Sequence, residues 1–223
     1  MHILKTAIKG NPNIGLYGVA TDKFCLLGYE VPSEIVKSIE KTLKVKVYQL
    51  SIIGTSMIGA FIAANDNMVL VPSVAFDEEI KRLESFGIPF AIIDTKLTAL
   101  GNNILCNEKV ALVNPLFSAK IKKRIRQALN VKAVPGTISG IETVGSVAIL
   151  NKKGMVVHRD TAREETEQLE LLFGVPVSIG SVNKGNLYVK SGVIANSNGI
   201  IVGKQTTGPE LQNLDEGLGF IKY

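Results

Sequence analysis

The chain has no tryptophan, two histidines and two cysteines in 223 residues, and aromatic residues make up 6% of it. Each shortage removes a class of function. Without an aromatic-rich strand of the RNP type, reading single-stranded RNA by base stacking is not supported. Cys25 and Cys106 form no CxxC pair and no metal spacing. Two thiols in a chain this long fit a reducing compartment rather than a disulfide scaffold. His2 and His158 stand far apart, and with two scattered cysteines they make no metal-ligand set, so no metal is expected. No run approaches the roughly 18 uninterrupted apolar residues of a membrane span. The first ten residues, MHILKTAIKG, are too short and too interrupted by Lys5 and Lys9 for a signal peptide. A cytoplasmic protein without a membrane partner, acting as a monomer, is expected. Net charge is moderate at +5, with an isoelectric point near 9.1 and mean hydropathy of +0.24. That balance permits a polyanionic partner without requiring one.

What the chain does contain is one pattern written five times. Apolar strands give way to polar turns at Thr21, Asn65, Asn107, Asn151 and Asn196, at spacings of 44, 42, 44 and 45 residues. An independent anchor, the apolar residue ending each helix pattern, falls at Leu43, Phe86, Leu129, Phe173 and Leu218, at spacings of 43, 43, 44 and 45. The words around that anchor match: LKVKVY, FGIPFA, LNVKAV, FGVPVS and LGFIKY. A period of this length marks supersecondary units too small to bury their own apolar faces. Five units use up the chain, so one domain over residues 1–223 is expected.

The second unit shows the grammar most clearly. An apolar strand over about 58–64 runs into the turn Asn65-Asp66-Asn67. A short apolar strand, Met68–Val71, is broken by Pro72-Ser73. A helix follows, with Phe76, Ile80 and Leu83 on one face and Asp77, Glu78, Lys81, Arg82 and Glu84 on the other. Gly87 stops it, and the run Phe90–Ile93 starts a third strand. One-sided apolar helices must pack on something, so the helices are placed outside a ring of strands. The fifth unit ends at Gly219-Phe220-Ile221-Lys222-Tyr223, while the strand-like segment 3–9 has no unit of its own. A closed ring leaves no exposed strand edge, so segment 3–9 is expected to complete the fifth unit beside Phe220–Tyr223.

Two apparent catalytic words fail. His158-Arg159-Asp160 spells a kinase catalytic-loop motif, but its following Asn and any preceding glycine-rich loop are absent. Gly199, Gly203 and Lys204 hint at a phosphate loop, but the spacing is one residue short and Gln205 replaces the required Ser or Thr. No catalytic residue and no cofactor is expected. Two other features invite a binding role. Gly15, Gly59, Gly101, Gly145 and Gly192 open the first strands, and a glycine at a repeated position signals close backbone approach. The segment 120–127 carries Lys120, Lys122, Lys123, Arg124 and Arg126 around the inward Ile121 and Ile125. It reads either as a solvated helix face or as a patch for RNA phosphates.

Five strand-strand-helix-strand units about a pseudo-fivefold axis look like the α/β pentein fold. Within it the sequence resembles the translation initiation factor 6 family of archaea and eukaryotes. The resemblance rests on Ile14-Gly15, NDNMVLVP (65–72), LTALGNN (97–103), CNEKVALVNP (106–115), LNVKAV (129–134) and GSVNKGNLYVKSG (180–192). It implies a factor that binds the intersubunit face of the large ribosomal subunit and keeps the small subunit from joining. The implied partners are an L14-type ribosomal protein, nearby ribosomal RNA, and release factors that include a translational GTPase. It also implies that Leu100, Gly101 and above all Asn102 contact the ribosomal protein. Eukaryotic relatives carry an Arg at the position of Ala60, so their whole interface does not transfer. Other penteins modify guanidino groups with a nucleophilic cysteine near the end of the last unit, but Gln205–Tyr223 holds no Cys and no His. That enzyme, or a protein-binding ring without a ribosomal role, is the alternative.

Overall fold

The computed structural model describes residues 2–221. It contains five three-stranded sheets, one per unit. In the first four units an initial strand pairs antiparallel with a second, and the second pairs parallel with a third beyond the helix. The first unit's strands are Gly18–Ala20, Phe24–Gly28 and Lys46–Leu50, with the helix Ser33–Leu43 between the last two. The later helices are Asp77–Glu84, Ala119–Leu129, Arg163–Phe173 and Gly208–Gly217. The sheets form the ring of a pentein, with the helices outside.

Packing explains why no unit stands alone. Each core cluster joins the sheet of one unit to the helix of the next. Ala63, Leu70 and Ile93 of the second sheet meet Ile125 and Leu129 of the third helix and Phe117 just ahead of it. Leu105 and Leu112 of the third sheet meet Leu169 and Phe173 of the fourth helix. The circle closes where Ile194 and Ile201 of the fifth sheet pack with Ile39 and Leu43 of the first helix. The helix ends are set locally. Ser118 caps the third helix by accepting from Ile121 N at 3.3 Å, and Thr207 and Glu210 form a capping box on the fifth. Lys44, Asn130 and Gly174 end their helices in the left-handed conformation.

The two anchor series of the sequence touch. Asn65, Asn107, Asn151 and Asn196 each donate through Nδ2 to the main-chain oxygen ending the next unit's helix, at Leu129, Phe173, Leu218 and Leu43 respectively, over 2.9–3.2 Å. Thr21, the one position of the five without an amide, makes no such clasp; it binds Phe24 O and N instead. At this end of the axis Lys152 Nζ ties Asp22 and Asp66 together at 2.9 and 2.5 Å.

Three expectations need correction. The first strands do not open at the glycines: a short helical turn precedes four of them, as at Ile58–Phe61 before Ala63–Ala64 and Leu100–Asn103 before Ile104–Cys106, and a non-helical turn over 144–146 precedes the fourth unit's strand. An apolar run of seven residues fits either conformation. The N-terminal strand spans Ile3–Thr6 rather than 3–9, because Ile8 and Asn11 bridge across a tight Lys9-Gly10 turn. It runs parallel to Ile200–Gly203, in the third-strand place of the fifth sheet, and forms no ladder with residues 220 and 221. Phe220 stacks instead on His2 with ring centroids 4.9 Å apart, and His2 Nε2 lies 2.6 Å from Asp215 Oδ1. Residues 222 and 223 lie outside the described residues.

Candidate functional site

At the end of the axis opposite the asparagine turns, five turns converge, four of them helical. Their positions are fixed by counting: the residue six before each polar turn is Gly15, Gly59, Gly101, Gly145 and Lys190. The first four glycines are buried. A Cβ on Gly15 would run into the carbonyl oxygen of Lys190, one on Gly59 into that of Gly15, one on Gly101 into that of Gly59, and one on Gly145 into that of Gly101. The five backbones thus lean on one another around the axis, and four of the five steps tolerate no side chain. Main-chain bonds reinforce the circle, from Gly145 N to Asn102 O at 2.9 Å and from Lys190 N to Ser146 O at 3.3 Å.

Gly192 does not belong to this circle. It ends the fifth unit's helical turn, two residues after the equivalent position, where a Cβ would meet Val182 and Asn183. Lys190 takes the fifth place. Its Nζ donates to Gly101 O at 2.6 Å, across the axis from the fifth unit to the third. Among the described residues this is its one hydrogen-bond acceptor, and no carboxylate pairs with it. Burial pulls the ammonium down to about 8 from the ordinary lysine value, with the nearby Cys106 acting weakly the other way.

The Lys190 stem separates two spaces. Outward lies a depression of about 210 Å³ at the centre of the face, lined among others by Asn102, Thr143, Ser146, Tyr188 and Ser191. Inward lies an apolar axial chamber of about 70 Å³, walled by the first strands of all five units and by Cys106. The depression holds one cation and no anion. Tyr188 and Met57 are half exposed at this face.

Of the residues expected to bind here, Leu100 has its side chain fully buried in the core, and Gly101 contributes its carbonyl to Lys190. Asn102 is partly exposed and lines the depression. Gly15, Gly59 and Gly145 form the circle beneath. The basic residues sit elsewhere, on the outer wall. Lys120, Lys123, Arg124 and Arg126 are exposed on the third helix, while Lys122 is tethered to Pro115 O at 3.1 Å. Among the described residues none of the five pairs with a carboxylate.

The tight turns around the face are held by glutamates from the helices. Glu79 accepts from Ile53 N and Gly54 N at 2.8 and 2.9 Å; Glu165 accepts from Ser139 N at 3.0 Å; Glu210 accepts from Gly185 N at 2.7 Å. Ile53 has φ of 53°, a costly value for a β-branched residue, and this clasp holds it there. Burial alone would raise Glu210, but hydrogen bonds from Thr207 N, Gly185 N and the Thr207 and Ser181 hydroxyls outweigh it and bring it down to about 2.

The thiols are poor nucleophiles. Burial pushes both Cys25 and Cys106 up to about 12, with Glu40 adding to the effect at Cys25. At Cys106 the charge of Lys190 opposes the rise and that of Glu108 adds to it. Among the described residues no group of three or more His, Cys, Asp or Glu is placed to hold a metal ion.

Comparison with known proteins agrees with this architecture. A family model described as the eIF-6 family matches residues 3–217. The protein called Translation initiation factor 6 in Pyrococcus horikoshii is 39% identical, over 99% of this chain and 100% of its own length. Those of Picrophilus torridus and of Saccharolobus islandicus strain L.S.2.15 are 38% and 36% identical, over 97% and 98% of this chain and 99% and 100% of their own.

Proposed function

The chain belongs to the eIF-6 family, the family of translation initiation factor 6, and on that premise we propose that it binds the large ribosomal subunit and sterically prevents the small subunit from joining. The observation that carries this reading is the extent of the kinship. The family match runs from residue 3 to residue 217, so it takes in all five units and not one shared module. Occlusion asks for a rigid body with a defined face and no chemistry. A ring whose every core cluster spans two units supplies the rigidity, and the circle of turns supplies the face.

The contact is assigned to an L14-type ribosomal protein seated on the depression, with Asn102 at its edge. Ribosomal RNA lies near the outer helix 119–129. Release is assisted by other factors, a translational GTPase among them. The ring acts as one domain, in the cytoplasm, without a cofactor. Two thiols held near 12 favour this reading over a guanidino-modifying enzyme.

Co-sedimentation with purified subunits at moderate salt tests it. Binding to large and not to small subunits is expected. Equal binding to both, or to neither, would falsify the assignment.

A further inference from the structure

Lys190 breaks the fivefold pattern in a way that packing does not require. Four units place glycine at this point of the circle, and the fifth places the longest unbranched cation available. An ammonium carries three donors. One is spent on Gly101 O, and among the described residues the other two have no acceptor and the charge has no counter-charge. Lys190 keeps partial exposure to the depression, and a cation drawn partly out of water without a counter-charge is unfavourable, so the position is a poor choice for stability alone. The surroundings are those of a receptor. The depression above Lys190 is about 210 Å³ and offers the amide of Asn102 and the hydroxyls of Thr143, Ser146 and Ser191 with no acidic side chain among its walls.

We propose that Lys190 and Asn102 form a carboxylate receptor at the centre of the face, which takes one aspartate or glutamate side chain from the ribosomal protein that docks there. This rests on the function proposed above and names the chemistry its partner must present. A single carboxylate fits a pit of this size; a phosphodiester backbone, with a sugar on either side, suits the open cations of the outer helix better. A half-exposed Tyr188 at the rim supplies the apolar contact that screens such an ion pair from water.

The test uses the full chain and two probes, purified large subunits and the isolated L14-type ribosomal protein. Affinities are measured for the wild type and for Lys190→Met and Lys190→Gln, with melting temperatures alongside. Both variants are expected to bind both probes at least about tenfold more weakly while melting no lower than wild type. Variants that bind both probes like wild type overturn the receptor and leave the ribosomal function standing. Weakening on the subunit but not on the isolated protein means that the anion is a ribosomal RNA phosphate, which also overturns it. Variants that melt lower and bind worse make Lys190 a structural residue only. A wild type that binds neither probe brings down the function and the receptor together.

Discussion

Lys190 Nζ donates to the carbonyl oxygen of Gly101 at 2.6 Å, linking two units that are not neighbours in the ring. The bond crosses the axis at the one place where the circle of glycines is interrupted. It places a cation between an apolar chamber and a polar depression, and that position has consequences for stability that can be measured.

Lys190→Met is expected to stabilise the protein at neutral pH, on the order of 1–2 kcal/mol once partial solvent screening is allowed for. The pH dependence fixes the sign. With its pKa lowered to about 8, the folded chain releases this proton earlier than the unfolded chain, whose lysine titrates near 10.4. Stability from this group therefore rises with pH between those values. Cys106, the one titratable group acting on Lys190, is itself held up near 12 and stays neutral through most of that window. Denaturant melts of wild type and variant across pH 7–10.5 should converge as pH rises. Parallel curves would refute the assignment.

Asn151→Ala should cost about 2–3 kcal/mol. The variant loses the donors to Asn196 O and Leu218 O, at 3.2 and 3.1 Å, and the oxygen that accepts from Lys153 N and Gly154 N. Urea unfolding at constant slope measures it. A change below about 0.5 kcal/mol would show that the clasp between units contributes little.

Glu210→Gln removes the carboxylate from three main-chain donors and two hydroxyls, and is expected to cost about 1–3 kcal/mol at pH 7. The folded carboxyl lies near 2, below the unfolded value near 4.3. Its contribution is therefore complete above that unfolded value and disappears as pH falls toward 2. The variant's deficit should shrink across the same interval. A deficit independent of pH would mean that the loss is one of packing.

Much of this architecture was legible because both anchor series repeat on independent residues, and the structure shows them hydrogen-bonded to one another. The helical turns were not legible. The run Ile58–Ala64 is apolar throughout, and periodicity cannot separate a helical turn from a buried strand over so short a stretch. Lys190 was within reach: the residue six before Asn196 is a lysine, whereas the same count from the other four turns reaches glycine. Gly192 stood close enough to be taken for the fifth member. The strand partner of the N-terminus was misplaced because LGFIKY matches the words that lead into third strands elsewhere. In the fifth sheet that slot, beside Ile200–Gly203, is already filled by Ile3–Thr6.

Deleting residues 3–9 should uncover the edge of Ile200–Gly203 and the apolar faces of Ile194 and Ile201. Aggregation, or a melting temperature lower by at least about 10 °C, is expected. A deletion variant that melts like the full chain would show that the fifth unit needs no third strand.

The most direct test of the central claim is subunit joining itself. Purified large and small subunits are mixed under conditions that favour their association, with and without a stoichiometric amount of this protein, and resolved on sucrose gradients. The expected result is loss of the joined ribosome peak, with the protein comigrating with the large subunit alone. An undiminished joined peak while the large subunits carry bound protein would contradict occlusion.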